Sequence, residues 1–125
     1  MAVTAEGDFL AGFLADDPDQ PVVMLNLLRF AEGGRAYYQQ YSKAFAETVA
    51  PRYGVEVVYA GDGGDPLIAQ AGQQWDAVLL VRYPSRHAFS QMVADPAYLR
   101  ITHLRTKALS EAVLQPTRPW GQRRR

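Results

Sequence analysis

Two hydrophobic patterns alternate along this chain, and their order predicts its elements. Residues 21–30 (PVVMLNLLRF) form a near-continuous apolar run, the pattern of a strand covered on both faces, and residues 75–83 (WDAVLLVRY) form a second. Between them, residues 35–52 place Tyr37, Tyr41, Phe45 and Val49 four apart, with Tyr38 and Thr48 beside them. That is the stripe of an amphipathic helix, begun after the Gly33-Gly34 break and ended at Gly54. Residues 55–60 are rich in β-branched side chains and predict another strand, followed by a turn over 61–66 (GDGGDP), with 67–70 extending the hairpin. The glycines of that turn match no nucleotide-binding spacing.

Pro84 stops the second apolar strand and Ser85 caps a helix carrying Phe89, Met92 and Val93. Asp95-Pro96 then opens a further helical piece running to about residue 109, and residues 110–116 (SEAVLQP) close as an edge strand, where a proline is tolerated. Ahead of all this, residues 4–15 set Phe9, Leu10, Phe13 and Leu14 at helical spacing and stop near Asp16-Asp17-Pro18.

The order is βαββαβ after a leading helix. Right-handed crossovers then give an α+β, ferredoxin-like, antiparallel four-stranded sheet in the order 4-1-3-2, with the strands numbered along the chain. Helices would cover one face only, and the bare apolar face predicts a twofold homodimer, sheet against sheet, closing a dimeric α/β barrel. The expected division is a helix and linker over 1–20, the ferredoxin-like domain over 21–116, and a basic flexible tail over 117–125 that contains Arg118, Arg123, Arg124 and Arg125.

Composition narrows the function classes. The 125 residues suit one domain, and 48% hydrophobic content supplies its core. Thirteen basic residues against thirteen acidic ones leave no positive field for nucleic acid or an anionic membrane. No segment has the length of a membrane span, and the acidic start lacks the features of a signal peptide, so a cytoplasmic protein is expected. The absence of cysteine removes disulfides, thiolate metal sites and cysteine nucleophiles.

Candidate chemistry gathers at one end of the predicted sheet. The end of the first strand (Asn26, Arg29), the start of the third (Trp75, Asp76), the first turns of the long helix (Tyr37, Tyr38, Tyr41) and Arg105 would converge there. Asn26 interrupts an apolar strand, so its amide either ties down a loop or faces a ligand. At about 100° per residue, Arg105 falls within the stripe of Tyr98, Ile101, Leu104, Ala108 and Leu109. It is either half of an internal salt bridge, with Asp76 or Glu111, or a clamp for an anion or enolate. Trp75 and Tyr41 suit either stacking on a planar ligand or plain core, and Arg29 is ambiguous. His87 falls opposite Phe89, and His103 roughly opposite Arg105, so neither is expected in the site, and no metal or organic cofactor is expected.

PVVMLNLLRF, the Tyr37/Tyr41 pair, WDAVLLVRYPSRHAF, Asp95-Pro96-Ala97-Tyr98 and Arg105 together resemble a family known as domain of unknown function 1330, of the dimeric α/β-barrel superfamily. The resemblance implies a ferredoxin-like dimer with a cleft between helices and sheet, in a superfamily containing cofactor-free oxygenases, haem-degrading enzymes, isomerases and ligand-sensing domains. Asn26 and Trp75 are similar in placement to residues of some haem-degrading relatives, whose helix histidine has no counterpart in the outward-facing His87.

Three functions are therefore expected in competition. One is a cofactor-independent enzyme, of oxygenase or isomerase type, acting on a small aromatic or enolisable carbonyl compound. In it Arg105 and Asn26 are catalytic, and Tyr41, Trp75, Tyr37 and Arg29 bind substrate. The second is a small-molecule binding or accessory module using the same cleft, and the third a structural dimer without a ligand.

Overall fold

The computed structural model describes residues 7–121. Residues 4–6 of the expected first helix, and Arg123, Arg124 and Arg125, lie outside that range. Helix α1 (Gly7–Ala15) leads into β1 (Val22–Phe30), a long helical stretch, β2 (Glu56–Asp62), β3 (Ala77–Tyr83), a second helical stretch and β4 (Leu109–Thr117). The sheet order is β2-β3-β1-β4, with every pairing antiparallel. The fold is α+β on a four-stranded antiparallel sheet, as the pattern predicted.

Register divides the sheet into two unlike faces. Asn26 lies opposite Leu79 of β3 and Leu114 of β4, and directly opposed residues share a face. Along β1, Val22, Met24, Asn26 and Leu28 are buried, whereas Val23, Leu25, Leu27 and Arg29 are only half-buried. The buried side carries both core clusters: Val22, Met24, Val81 and Tyr83 pack with Val49, Phe89 and Met92, and Leu28 packs with Ala77, Ala108 and Leu109. Two-sided burial, expected from the apolar run, is reached in the single chain on the helix side alone.

The long stretch is α2 (Gly34–Ala44), a π-helical turn (Phe45–Val49) and α3 (Ala50–Tyr53). A spacing of four residues drifts around a 3.6-residue helix, and the wider i→i+5 turn takes some of that drift back, so Val49 is fully buried. Tyr37, where the drift begins, is 39% exposed. Its neighbour Tyr38 turns inward instead, with its ring 5.9 Å from Phe30 and 5.4 Å from Tyr41.

The second stretch is α4 (Arg86–Ala94), α5 (Pro96–Leu99) and α6 (Thr102–Ala108). The single piece expected after Asp95 is broken at Ile101, where backbone bonds tighten to three-residue spacing, Ile101 N–H to Tyr98 and Leu104 N–H to Ile101. Ser85 Oγ accepts from Ala88 N at 2.9 Å and caps α4, while Asp95 caps α5 through Ala97 N and also takes the Tyr53 hydroxyl. Ser85→Ala is expected to lower stability by about 1 kcal/mol, read as a shift of the denaturant midpoint at unchanged slope.

Helix α1 packs Leu10 and Phe13 against the larger core cluster. The buried Arg86 fixes it by donating to Phe13 O at 3.2 Å with its guanidinium 4.6 Å from that ring. Thr117 is the last residue of β4, and Arg118 pairs with Asp17 at 3.2 Å. Among the described residues, no helix is long and apolar enough to cross a membrane.

Candidate functional site

The helix side of the sheet holds a buried polar cluster. Arg105 of α6 and Asn26 of β1 are both about nine-tenths buried, and four tyrosines from three elements surround this layer: Tyr38 and Tyr41 of α2, Tyr98 of α5 and Tyr83 of β3. The Tyr41 and Tyr98 hydroxyls lie 3.2 Å apart in hydrogen-bond contact, and Asn26 Nδ2 donates to Met24 O at 3.4 Å. Burial pushes the Tyr38, Tyr41 and Tyr83 phenols above their ordinary range, and the positive charge of Arg105 pulls each back only in part. These hydroxyls are therefore protonated donors at neutral pH, held close enough to one guanidinium to feel its charge.

Arg29 and Trp75 are not part of this cluster. Residues 26 and 29 are an odd number apart on one strand, so their side chains leave opposite faces. On the open face Arg29 pairs with Glu111, its cross-strand neighbour, donates to Gly72 O at 3.0 Å and to Gln74 O, and lies 4.5 Å over the Trp75 ring. Tyr37 stands outside both groups, under Lys107 Nζ at 5.7 Å.

The two carboxylates considered as partners for Arg105 are engaged elsewhere. Glu111 pairs with Arg29. Asp76 Oδ2 accepts from Phe30 N at 2.8 Å while Asp76 N donates to Leu28 O at 2.8 Å, so this residue pins the end of β1 to the start of β3. His87 and His103 are exposed, as the helical wheel predicted.

A groove of about 280 Å³ opens beside the cluster, between α2 and the β2–β3 edge. Phe30, Tyr38, Ala77 and Leu79 are among its lining residues, together with the Arg35–Asp62 ion pair at 2.9 Å. Asn26 and Arg105 do not line it, and Tyr38 belongs to both groove and cluster. Tyr98 and Tyr83 escaped selection from the sequence, although the inward-facing stripe that singled out Arg105 also contains Tyr98. A buried phenol on such a stripe needs a hydroxyl partner, and that requirement was the available signal.

Residues 31–115 match the family described as domain of unknown function (DUF1330). The chain belongs to this family. A crystal structure of a Rhodopseudomonas palustris protein of unknown function is 29% identical, with 96% of this chain and 98% of that one covered and a TM-score of 0.84. A Bacteroides fragilis protein described as dimeric, of unknown function and ferredoxin-like fold, is 10% identical over 78% of this chain and 94% of that one, at a TM-score of 0.55. Hydroxynitrile lyase from Passiflora edulis is 14% identical over 80% of this DUF1330 chain and 94% of the lyase, at a TM-score of 0.59. These last two likenesses concern the fold alone. No protein of curated function matches the sequence.

Proposed function

We propose that this DUF1330 protein binds a small aromatic or enolisable carbonyl compound on the helix side of its sheet and acts on it without metal or organic cofactor, as an oxygenase or isomerase type of enzyme. The observation that carries the reading is a guanidinium, Arg105, buried among tyrosine hydroxyls in the same layer as the buried amide of Asn26. A fixed positive charge in a dry site stabilises an enolate or oxyanion far more than the same charge in water. In this reading Arg105 and Asn26 donate to the developing negative charge, Tyr41 orients the ligand and Tyr38 forms the wall between groove and cluster. Arg29, Trp75 and Tyr37 take no part in binding it.

The protein works, in this proposal, as a homodimer paired through the open sheet face. Leu25, Leu27, Val78, Leu80 and Val113 are half-exposed there, and the Bacteroides fragilis neighbour is described as dimeric. A second reading, a binding module without turnover, is favoured by the raised phenols: Tyr38 and Tyr41 stay protonated and supply no general base at neutral pH.

A panel of quinols and enolisable carbonyl compounds, assayed for binding and for turnover, separates these readings. For an enzyme, Arg105→Met with a native circular dichroism spectrum is expected to lose about 10²–10³-fold in kcat/KM, more in kcat than in KM, with Arg105→Lys partly restoring it. Binding that the variant abolishes, without turnover by the wild type, indicates the binding module. If no compound binds, the reading is wrong and the polar cluster serves the fold alone.

A further inference from the structure

We propose that residues 63–76 form a rigid arm that clasps a second copy of this chain, with Leu67 and Ile68 as its apolar anchors. The inference rests on the homodimer proposed above and is independent of what the helix side binds. Leu67 is 100% exposed and Ile68 96% exposed, neighbours in the long connection between β2 and β3. Scattered exposed leucines are ordinary, but two adjacent, fully exposed aliphatic side chains at the head of a built loop are not.

The arm is held at its neck and along its returning limb. At the neck, Gly63 N donates to Asp76 O at 2.9 Å, and a Cβ on Gly63 would meet Trp75 O at 2.0 Å, so the two limbs approach as closely as glycine permits. Just past the two anchors, Gln73 closes a turn on Gln70, donating its N–H to Gln70 O at 3.1 Å and accepting from Gln70 N at 2.8 Å through Oε1. The returning limb is gripped by Arg29, which takes the carbonyls of Gly72 and Gln74, covers Trp75 and is itself fixed by Glu111. A loop ordered in this way has lost part of its freedom before any partner arrives, which favours binding.

The same grip identifies the occupant. Arg29 and Glu111 belong to the open face, so the arm is tied to the side of the sheet where Leu25, Leu27, Val78 and Leu80 lack full cover. A partner that covers this face lies within the arm's side of the molecule, and twofold symmetry uses each arm once on either copy. The tip stretch, Leu67 to Ala71, carries no charge, which suits an apolar surface of the same kind as the open face.

Sedimentation equilibrium of the full chain, wild type against the double variant Leu67→Asp with Ile68→Asp, reads the dimer dissociation constant directly. The expected result is a dimeric wild type and at least about a 100-fold weaker dimer in the variant, with unchanged secondary structure, since two aliphatic side chains per copy lose their cover. Because the chain has no cysteine, Leu67→Cys provides a single thiol whose maleimide labelling should slow as the concentration rises through that constant. A wild type that is monomeric at every concentration overturns the dimer and the clasp together. A dimer of unchanged affinity in the double variant, or a thiol labelled equally fast in monomer and dimer, overturns the clasp and leaves the dimer standing. Protection independent of concentration means that something other than a second copy covers the tip, and overturns it too.

Discussion

Gly34→Ala is expected to destabilise the protein by at least about 3 kcal/mol, the upper end of what overpacking usually costs, and to lower Tm by roughly 10 °C. Gly34 is buried at the start of α2, and a Cβ placed there would stand 2.0 Å from Ala108 O and 2.9 Å from Ala108 C. Both obstacles are backbone, so no rotamer change relieves them. The carbonyl is also the acceptor for Ala31 N at 2.8 Å, and moving it loses that bond as well. Helices α2 and α6 would have to separate, and they carry Tyr38 and Tyr41 on one side and Arg105 on the other. Any ligand-dependent property should therefore fall with stability. Gly64→Ala, where an added Cβ meets nothing within 4 Å, is the control expected to leave the denaturant midpoint nearly unchanged. A Gly34→Ala protein melting within a degree or so of the wild type would show that the α2–α6 approach is looser than described.

The elements and their order were legible because each rests on a local rule. Residues 22–30 and 77–83 are apolar enough to be strands in any context, and Ser85 and Asp95 are capping residues in the sequence and caps in the structure. Sheet order followed from handedness. The site was legible only in part, for a reason that is also local. Convergence at one end of a sheet says nothing about faces, and the odd spacing between Asn26 and Arg29 already placed them on opposite sides. Arg29 and Trp75 thus lie together on the open face, at the base of the β2–β3 connection and away from the Arg105 cluster.

Tyr37 was misplaced by a different mechanism. Spacing by four residues tracks a helix face only over short distances, and the π-helical turn that corrects the drift has no sequence signature strong enough to anticipate. Starting the same stripe one residue later, at Tyr38, follows the face that packs on Phe30 and Tyr41. Arg105 and Tyr41, both chosen from wheel positions close to their burial maxima, did fall in the interior.

Those buried phenols also predict a pronounced alkaline weakness. Tyr38, Tyr41 and Tyr83 all ionise above the ordinary value of 10.0 in the fold, chiefly because burial penalises the phenolate. A phenol raised in this way stabilises the fold fully below its unfolded pKa, and this stabilisation is lost as pH rises through the interval up to the folded pKa, because the unfolded chain releases a proton that the folded chain retains. Each such tyrosine removes up to about 1.4 kcal/mol per pH unit within its own interval, and these losses add wherever the three intervals overlap above pH 10.

Denaturant midpoints measured across that range should therefore fall steeply, and phenolate absorbance from these residues should appear with unfolding rather than ahead of it. Tyr83→Phe retains the ring packing against Phe89, 5.0 Å away, and should remove about a third of the slope. Arg105→Met, which takes away the charge that partly favours the phenolates, should not relieve it. A midpoint that stays flat past pH 10, or full phenolate absorbance from a still-folded protein, would mean that water reaches these hydroxyls. The charge-stabilising site proposed around Arg105 would then lose the dry surroundings on which it depends.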